Sequence, residues 1–315
     1  MLSKKNEVKS TRAAFGEALV ELGAQNTNIV ALDADLSCST QTKMFADKFP
    51  DRFFNVGIAE QDMLSTAAGL STCGKIPFVA TFAVFATGRA YDQIRNGICY
   101  PKFNVKIIGT HGGITVGEDG ATHQALEDVT LMRAIPNMMV LSPADAVETK
   151  AAVKFAAEHK GPVYIRITRT SMETIFDEST YKFDLKAKII KEGTDVTIVS
   201  TGETLIEAIK AADILSEQSI SAEVVSVPVI KPFDCDTIIK SAKKTNQVVT
   251  LENHSIIGGL GGAVCECLSE NYPVKVKRIG TNDVFGQSGH YKELMAEYEL
   301  TAEKVAPKIV EFLKK

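Results

Sequence analysis

The chain reads as an α/β protein of two domains, each a mostly parallel sheet covered by helices. Three observations predict this. Short, near-continuous β-branched apolar runs alternate with amphipathic stretches, the pattern of strands buried on both faces beneath helices. The alternation breaks once, across residues 171–194, where SMETIFDESTYKFDLKAKIIKEGT is mixed in charge and aperiodic. It then restarts in a shorter second half. With 315 residues there is chain enough for two cores. The expected organisation is a domain over residues 1–170, a linker over 171–194 with an edge strand near 187–190, and a second domain over 195–315.

In the first domain the apolar runs predict strands at 28–32, 76–81, 105–110, 138–142 and 163–167. Helical spacing falls between them, at 11–23, 59–73, 91–99, 125–134 and 144–158. Ser10 before the first helix, and Ser142-Pro143 ahead of Ala144-Asp145, are helix-start signals. In the second domain strands are expected at 195–200, 222–227, 247–251 and 274–279. The helices there are expected at 203–216, 236–243, 260–269 and 302–314. The two halves show no internal repeat.

Composition narrows the function classes. The 45% hydrophobic and 23% charged fractions are those of a soluble globular protein. A net charge of −4 leaves no basic excess to neutralise a nucleic-acid backbone. Lys4, Lys5 and Lys9 are not followed by an apolar run, so neither a signal peptide nor a membrane anchor is expected. The six cysteines form no CxxC pair, and Cys265-x-Cys267 alone makes a poor metal site. Buried free thiols in a reducing, cytoplasmic setting are the expectation.

Ligand sites of such sheets form where strands hand over to helices at their carboxyl ends. Five handovers in the first domain carry polar residues that packing does not require. Asn55-Val56-Gly57-Ile58-Ala59-Glu60 puts a carboxylate in the first turn of an alanine-rich helix, a place the helix dipole favours with or without a function. Phe82 and Phe85, three residues apart, suit either core packing or an aromatic seat for a planar heterocycle. His111 to Gln124 is the least ordinary stretch. Four glycines make it a loop that can approach a ligand closely, and it holds two of the five histidines with Glu118 and Asp119 between them. Lacking an i, i+4 histidine pair or a nearby cysteine, it suits polar substrate recognition and proton transfer better than a metal. Asp35 to Ser39, Arg166 to Thr170 and Arg12 could together form a phosphate site.

Taken together and in this order, these motifs resemble the transketolase family. Gly57-Ile58-Ala59-Glu60-Gln61 is similar to the segment carrying the glutamate that faces the cofactor's aminopyrimidine. Gly117 to Gln124 resembles the family's donor-sugar loop almost residue for residue, and His111 stands eight residues before Asp119 as in the family. The likeness runs from about residue 10 to the C-terminus, covering the pyrimidine-binding and C-terminal domains. It implies transfer of a two-carbon ketol unit from a ketose phosphate to an aldose phosphate, with thiamine diphosphate bound at its pyrimidine end by this chain. Glu60, His123 and Asp119 are implied as catalytic, and Glu60, Phe82, Phe85 and Asp35 as cofactor-binding. Arg12, Ser39, His111, Asp119, His123 and Arg169 are implied as substrate-binding, and no metal ligand is expected on this chain.

There are departures from the family pattern. Gly88 stands where the family has another aromatic, one helical turn beyond Phe85, and Gln61 replaces the histidine that often follows the glutamate. The diphosphate-binding domain, with its Gly-Asp-Gly start and its asparagine for magnesium, is not found; Gly258-Gly259-Leu260-Gly261-Gly262 reads as a turn opening a helix. The resemblance therefore implies an N-terminal partner subunit holding the diphosphate and Mg²⁺ or a similar cation, with self-association as a dimer inside an α₂β₂ assembly. Deoxyxylulose-phosphate synthases share the Asp-Gly-x-Thr-His-Gln element, and the beta subunits of 2-oxo acid dehydrogenases share the Gly-Ile-Ala-Glu-Gln segment. A non-catalytic regulatory or assembly subunit is the alternative from another class, set against the presence of Glu60, Asp119 and His123.

Overall fold

The apolar runs become the central strands, and their order places the motif-bearing turns along one edge. The computed structural model describes residues 2–3 and 7–314; Lys4 and Lys5 of the basic N-terminal segment lie outside the described residues. The first half runs β1 (Val8–Ser10), α1 (Thr11–Gln25), β2 (Ile29–Asp33), α2 (Ser37–Thr40), α3 (Lys43–Lys48), β3 (Phe53–Asn55) and α4 (Glu60–Thr72). It continues through β4 (Ile76–Phe82), β5 (Lys106–Thr110), α5 (Asp128–Ala134), β6 (Met139–Leu141), α6 (Ala146–Glu158), β7 (Val163–Arg166) and β8 (Ser171–Glu173). The second half comprises β9 (Lys188–Lys191), β10 (Val196–Ser200), α7 (Leu205–Glu217), β11 (Ala222–Ser226), β12 (Val229–Lys231) and α8 (Cys235–Thr245). After it come β13 (Gln247–Ser255), α9 (Leu260–Asn271), β14 (Lys275–Thr281), α10 (Tyr291–Glu297) and α11 (Ala302–Leu313).

Seven strands form the larger sheet in the order β12-β6-β7-β5-β4-β2-β3, parallel throughout except for β12. In register, Asp33 lies opposite Asn55 and Ala80, Phe82 opposite Thr110, and Gly109 opposite Arg166. The turns after β2, β3, β4, β5 and β7 therefore leave from one edge. Each face buries its own apolar cluster. One gathers Phe15, Leu19, Phe45 and Val153 under α1 and α6; the other gathers Met63, Leu64, Ile94 and Met132 under α4 and α5. The second sheet runs β14-β13-β10-β11-β9, with only β9 antiparallel.

Several expectations change in detail. The helix expected at 91–99 forms mainly as a π-helical segment, Gln93–Cys99, and a second one, Phe85–Arg89, precedes it; Gly97 and Gly88 weaken α-helical preference there. Within 171–194 the edge strand expected near 187–190 forms as β9, on the edge of the second sheet, while β8, which the sequence did not suggest, pairs with β1. β12, from the second half, pairs with β6, so the larger sheet itself joins the two halves. Asp145 caps α6 by accepting from the Glu148 amide at 2.8 Å, and its other oxygen takes the amides of Ile175 and Phe176. The cysteines are all free, but only Cys99 and Cys267 are buried, while Cys38 and Cys73 are exposed. Among the described residues no helix is long and apolar enough to cross a membrane.

Candidate active site

The carboxylate comes first. Beyond β3 the chain turns at Gly57, whose φ of 75° an L side chain rarely adopts, and enters α4 directly at Glu60. The Asn55 side-chain carbonyl accepts the amides of Gly57 at 3.0 Å and Asp35 at 3.1 Å, tying the turn after β3 to the turn after β2. Glu60 is 1% exposed, and both of its oxygens accept from Nη1 of Arg89, at 2.8 and 2.9 Å. Arg89 closes the first π-helical turn and lays its guanidinium 4.5 Å from the centre of the Phe85 ring. Gln61 Nε2 donates to the Arg89 carbonyl at 3.2 Å, which anchors that turn to α4.

An aromatic floor adjoins the carboxylate. Phe82 ends β4, and Phe85 lies nearly parallel to it, 5.8 Å between centroids and 9° between planes. The His111 ring stacks on Phe82 at 3.8 Å, and the His123 ring meets Phe85 edge-on at 5.3 Å. Both histidines thus face the same pair of phenylalanines, from opposite ends of one loop. His111 holds a left-handed φ of 59°, and its Nδ1 is 2.9 Å from the Thr110 hydroxyl. Burial, reinforced by the charges of Arg12, Arg169 and His123, pushes its pKa down to about 3, so its imidazole is neutral at neutral pH.

The third part is cationic. Arg12, on α1, donates through Nη1 to the Ser39 carbonyl at 2.6 Å and through Nε to the Arg169 carbonyl at 3.1 Å. Among the described residues it has no carboxylate partner, and burial followed by the nearby Arg169 lowers its pKa. A half-buried guanidinium beside a second cation, with no carboxylate partner among the described residues, has the chemistry to receive an anion. Arg169 donates to Glu118 at 2.8 Å and to the Val116 carbonyl. Arg166, in the same stretch, serves elsewhere. It is buried and ion-paired to Asp128, whose carboxylate also accepts the Tyr164 hydroxyl at 2.7 Å. Ser39 meets Arg12 through its carbonyl rather than its hydroxyl. Asp35 is exposed, and the buried carboxylate of that turn is Asp33, which accepts from Leu36 N, Thr40 Oγ1 and Thr42 Oγ1 at 2.5, 2.7 and 2.8 Å. Asp33 ends β2 directly after the apolar run, and its bonds brace the turn that follows.

The second half grips the histidine loop at both ends. Asn253, on β13, accepts the Ile114 amide at 3.0 Å and donates to Thr115 Oγ1 at 3.2 Å and to Glu203. Glu203 also accepts from the Thr115 and Thr168 hydroxyls. At the far end Gln124 donates to the Gln287 carbonyl at 2.9 Å, and Gly120 faces Ser288 so closely that a Cβ there would stand 2.4 Å from its hydroxyl. Asp119 itself is exposed at the rim and, among the described residues, makes no side-chain hydrogen bond. His254 lies buried within β13, not in a loop, with Nδ1 2.7 Å from the Ser255 carbonyl.

Residues 7–174 match the family model described as transketolase, pyrimidine binding domain, and residues 185–305 match transketolase, C-terminal domain. The chain belongs to the transketolase family. A protein of Methanocaldococcus jannaschii named as a transketolase C-terminal section is 53% identical over 98% of this chain and 97% of its own. A 6-deoxy-6-sulfo-D-fructose transketolase subunit of Clostridium sp. strain MSTE9 is 44% identical, covering 93% and 91%. An apulose-4-phosphate transketolase subunit of Phocaeicola vulgatus is 38% identical over 98% and 99%. A solved structure described as a split gene transketolase, an inactive β4 tetramer, superposes with a TM-score of 0.91 at 52% identity, over 97% of this chain and 99% of that one. Transketolase from Leishmania mexicana superposes at 0.84 and 26% identity, but this chain covers only 47% of it.

A transketolase pyrimidine-binding domain implies thiamine diphosphate. The geometry fits an aminopyrimidine: a buried carboxylate beside an aromatic face is already occupied by a flat, cationic N–H donor, the Arg89 guanidinium. Glu60, Phe82 and Phe85 are the residues that would hold the ring.

Proposed function

We propose that this chain is the C-terminal subunit of a two-subunit, thiamine-diphosphate-dependent transketolase, moving a two-carbon ketol unit from a ketose phosphate to an aldose phosphate. The observation that carries the reading is one unbroken line of contacts. It runs from Glu60 through Arg89 and Phe85 to Phe82, His123 and His111, whose pKa is in turn lowered by the charges of Arg12 and Arg169. A proton-handling carboxylate, an apolar seat and an anion receptor thus stand in the order a phosphorylated sugar on a heterocyclic cofactor requires.

Thiamine diphosphate, when bound, supplies a carbon nucleophile and an electron sink for the two-carbon fragment. Glu60 shares a proton with the pyrimidine ring nitrogen through its carboxylate oxygens, and burial strengthens that bond by excluding water. Phe85, with Phe82 behind it, supplies the apolar face. His123 and Asp119 bind donor hydroxyls, and His123 moves protons at them. His111, neutral, adds a hydrogen bond without adding charge, while Arg12 and Arg169 take the terminal phosphate. Asp35, tied to Asn55, supports the turn that carries Ser39 toward Arg12.

The diphosphate and a divalent cation fall to an N-terminal partner subunit, in a cytoplasmic α₂β₂ assembly. Likeness to relatives named as a transketolase C-terminal section and as a transketolase subunit supports the partner, as does the description of the split-gene β4 tetramer as inactive. The test is to co-express the chain with an N-terminal transketolase subunit and assay ketol transfer with thiamine diphosphate and Mg²⁺. Sugars ending in phosphate and in sulfonate should be compared, since the arginine pair suits either anion. Turnover by this chain alone refutes the two-subunit reading. Glu60→Gln in the complex is expected to lower kcat by about 100-fold or more; unchanged turnover refutes the proton role.

A further inference from the structure

Glu60 sets a physical problem that the proposed reaction does not solve. A carboxylate 1% exposed, with no countercharge, is among the most costly groups a fold can bury. In this chain the countercharge is Arg89, which gives one nitrogen to both carboxylate oxygens while its plane rests on Phe85. Each element of that pose matches what an aminopyrimidine would present there. It is flat, it lies on the aromatic face, and it hydrogen-bonds Glu60. Ring and guanidinium cannot both take those positions.

The surroundings allow the arginine to leave. Its side chain is 46% exposed although its carboxylate partner is not. Its backbone is anchored by Gln61, so movement is confined to the side chain. Beside it, Gly88 opens onto free space: a Cβ there would meet nothing within 4 Å. The absence of a side chain at Gly88 leaves room for a displaced guanidinium.

We propose that Arg89 is a placeholder for the aminopyrimidine, holding Glu60 and the Phe85 face until thiamine diphosphate displaces it, so that Arg89 sets cofactor affinity. This rests on the functional reading above. The displacement is an exchange of partners: Glu60 gives up the guanidinium, takes one proton from solvent and shares it with the ring nitrogen, and Arg89 swings to solvent over Gly88. Arg89 therefore opposes binding, although it lines the site. Removing it raises the free energy of the cofactor-free state and leaves the loaded state little changed.

Two measurements test this, and neither needs turnover. In the complex with the N-terminal subunit, thiamine diphosphate with Mg²⁺ is titrated calorimetrically into wild type, Arg89→Met and Arg89→Gln. Both variants are expected to bind about threefold to tenfold more tightly, the range of a half-exposed charge pair. Weaker or equal binding overturns the placeholder and makes Arg89 a wall of the loaded site. In the chain without cofactor, thermal unfolding of Arg89→Met, Glu60→Gln and the double variant forms a cycle. Arg89→Met is expected to lower Tm in the Glu60 background and to lower it less in Glu60→Gln. Additive effects overturn the pairing on which the proposal stands. Failure of the wild-type complex to bind thiamine diphosphate at all is a separate result, which overturns the proposed function and the placeholder with it.

Discussion

Replacing Asn253 with alanine isolates what the second half of the chain does for the site. Asn253 is buried on β13, and its amide spans the junction: Oδ1 takes the Ile114 amide at 3.0 Å, while Nδ2 reaches Thr115 Oγ1 at 3.2 Å and Glu203. In Asn253→Ala the buried Ile114 N–H has no acceptor, a loss of about 1–3 kcal/mol. Glu203 keeps its bonds from Thr115 and Thr168 but loses a charge-assisted donor, roughly another 1.5–3 kcal/mol. The sum is about 2.5–6 kcal/mol, lowering Tm by roughly 5–24 °C for domains of this size. Scanning calorimetry on the chain reads that shift. The functional consequence is directional: Ile114 and Thr115 begin the loop that carries Asp119 and His123, so donor-sugar KM in the complex should rise while cofactor affinity, set at Glu60 and Phe85, should hold. A fall in Tm of less than about 2 °C, together with an unaltered donor KM, refutes the view that this amide holds the loop.

Other perturbations give equally direct outcomes. The His111 pKa is depressed from 6.5 to about 3, so the unfolded chain binds the extra proton between those values. Its contribution to stability is complete above pH 6.5 and is lost on acidification, at roughly 1.4 kcal/mol per pH unit; His111→Asn should flatten the acid limb of a urea-unfolding series. Glu148 shifts the other way, raised from 4.5 to about 7 chiefly by burial against a Tyr181 hydroxyl bond. Its contribution is complete below pH 4.5 and is lost as pH rises toward 7, so Glu148→Gln should flatten unfolding free energy across that window, and an unchanged slope refutes the assignment. Asp128→Ala strands the buried Arg166 and the Tyr164 hydroxyl, and should cost about 3–5 kcal/mol in urea unfolding; Asp128→Asn, which keeps an acceptor, should cost less.

Much of this architecture is legible in the chain itself, because the signals are local. Apolar runs such as Lys106–Thr110 and Val163–Arg166 lack alternation, and only a strand covered on both faces accommodates them. Once the sheet is parallel, its carboxyl edge collects whatever follows each strand, so Glu60, Phe82, Phe85, His111, His123 and Arg169 group together on sequence alone, and Arg12 joins them from the start of α1. The family pattern at Gly57–Gln61 and Gly117–Gln124 gave those groupings their chemistry.

Which partner each side chain finds is a different matter, since it depends on distances no local pattern contains. Arg166 and Arg169 are three residues apart and look alike in sequence, yet one is neutralised inside by Asp128 while the other stands beside Arg12. Arg89 carries no motif signal of its own, and becomes the countercharge of Glu60 only because a π-helical turn aims it across 29 residues of chain. Asn253, on β13, and Glu203, in the turn after β10, reach the histidine loop from the second half, and β12 enters the first sheet from there too. Periodicity and strand-end chemistry follow from steric and hydrophobic rules acting over a few residues. Pairing of buried charges follows from desolvation, which is settled only when every packed neighbour is in place.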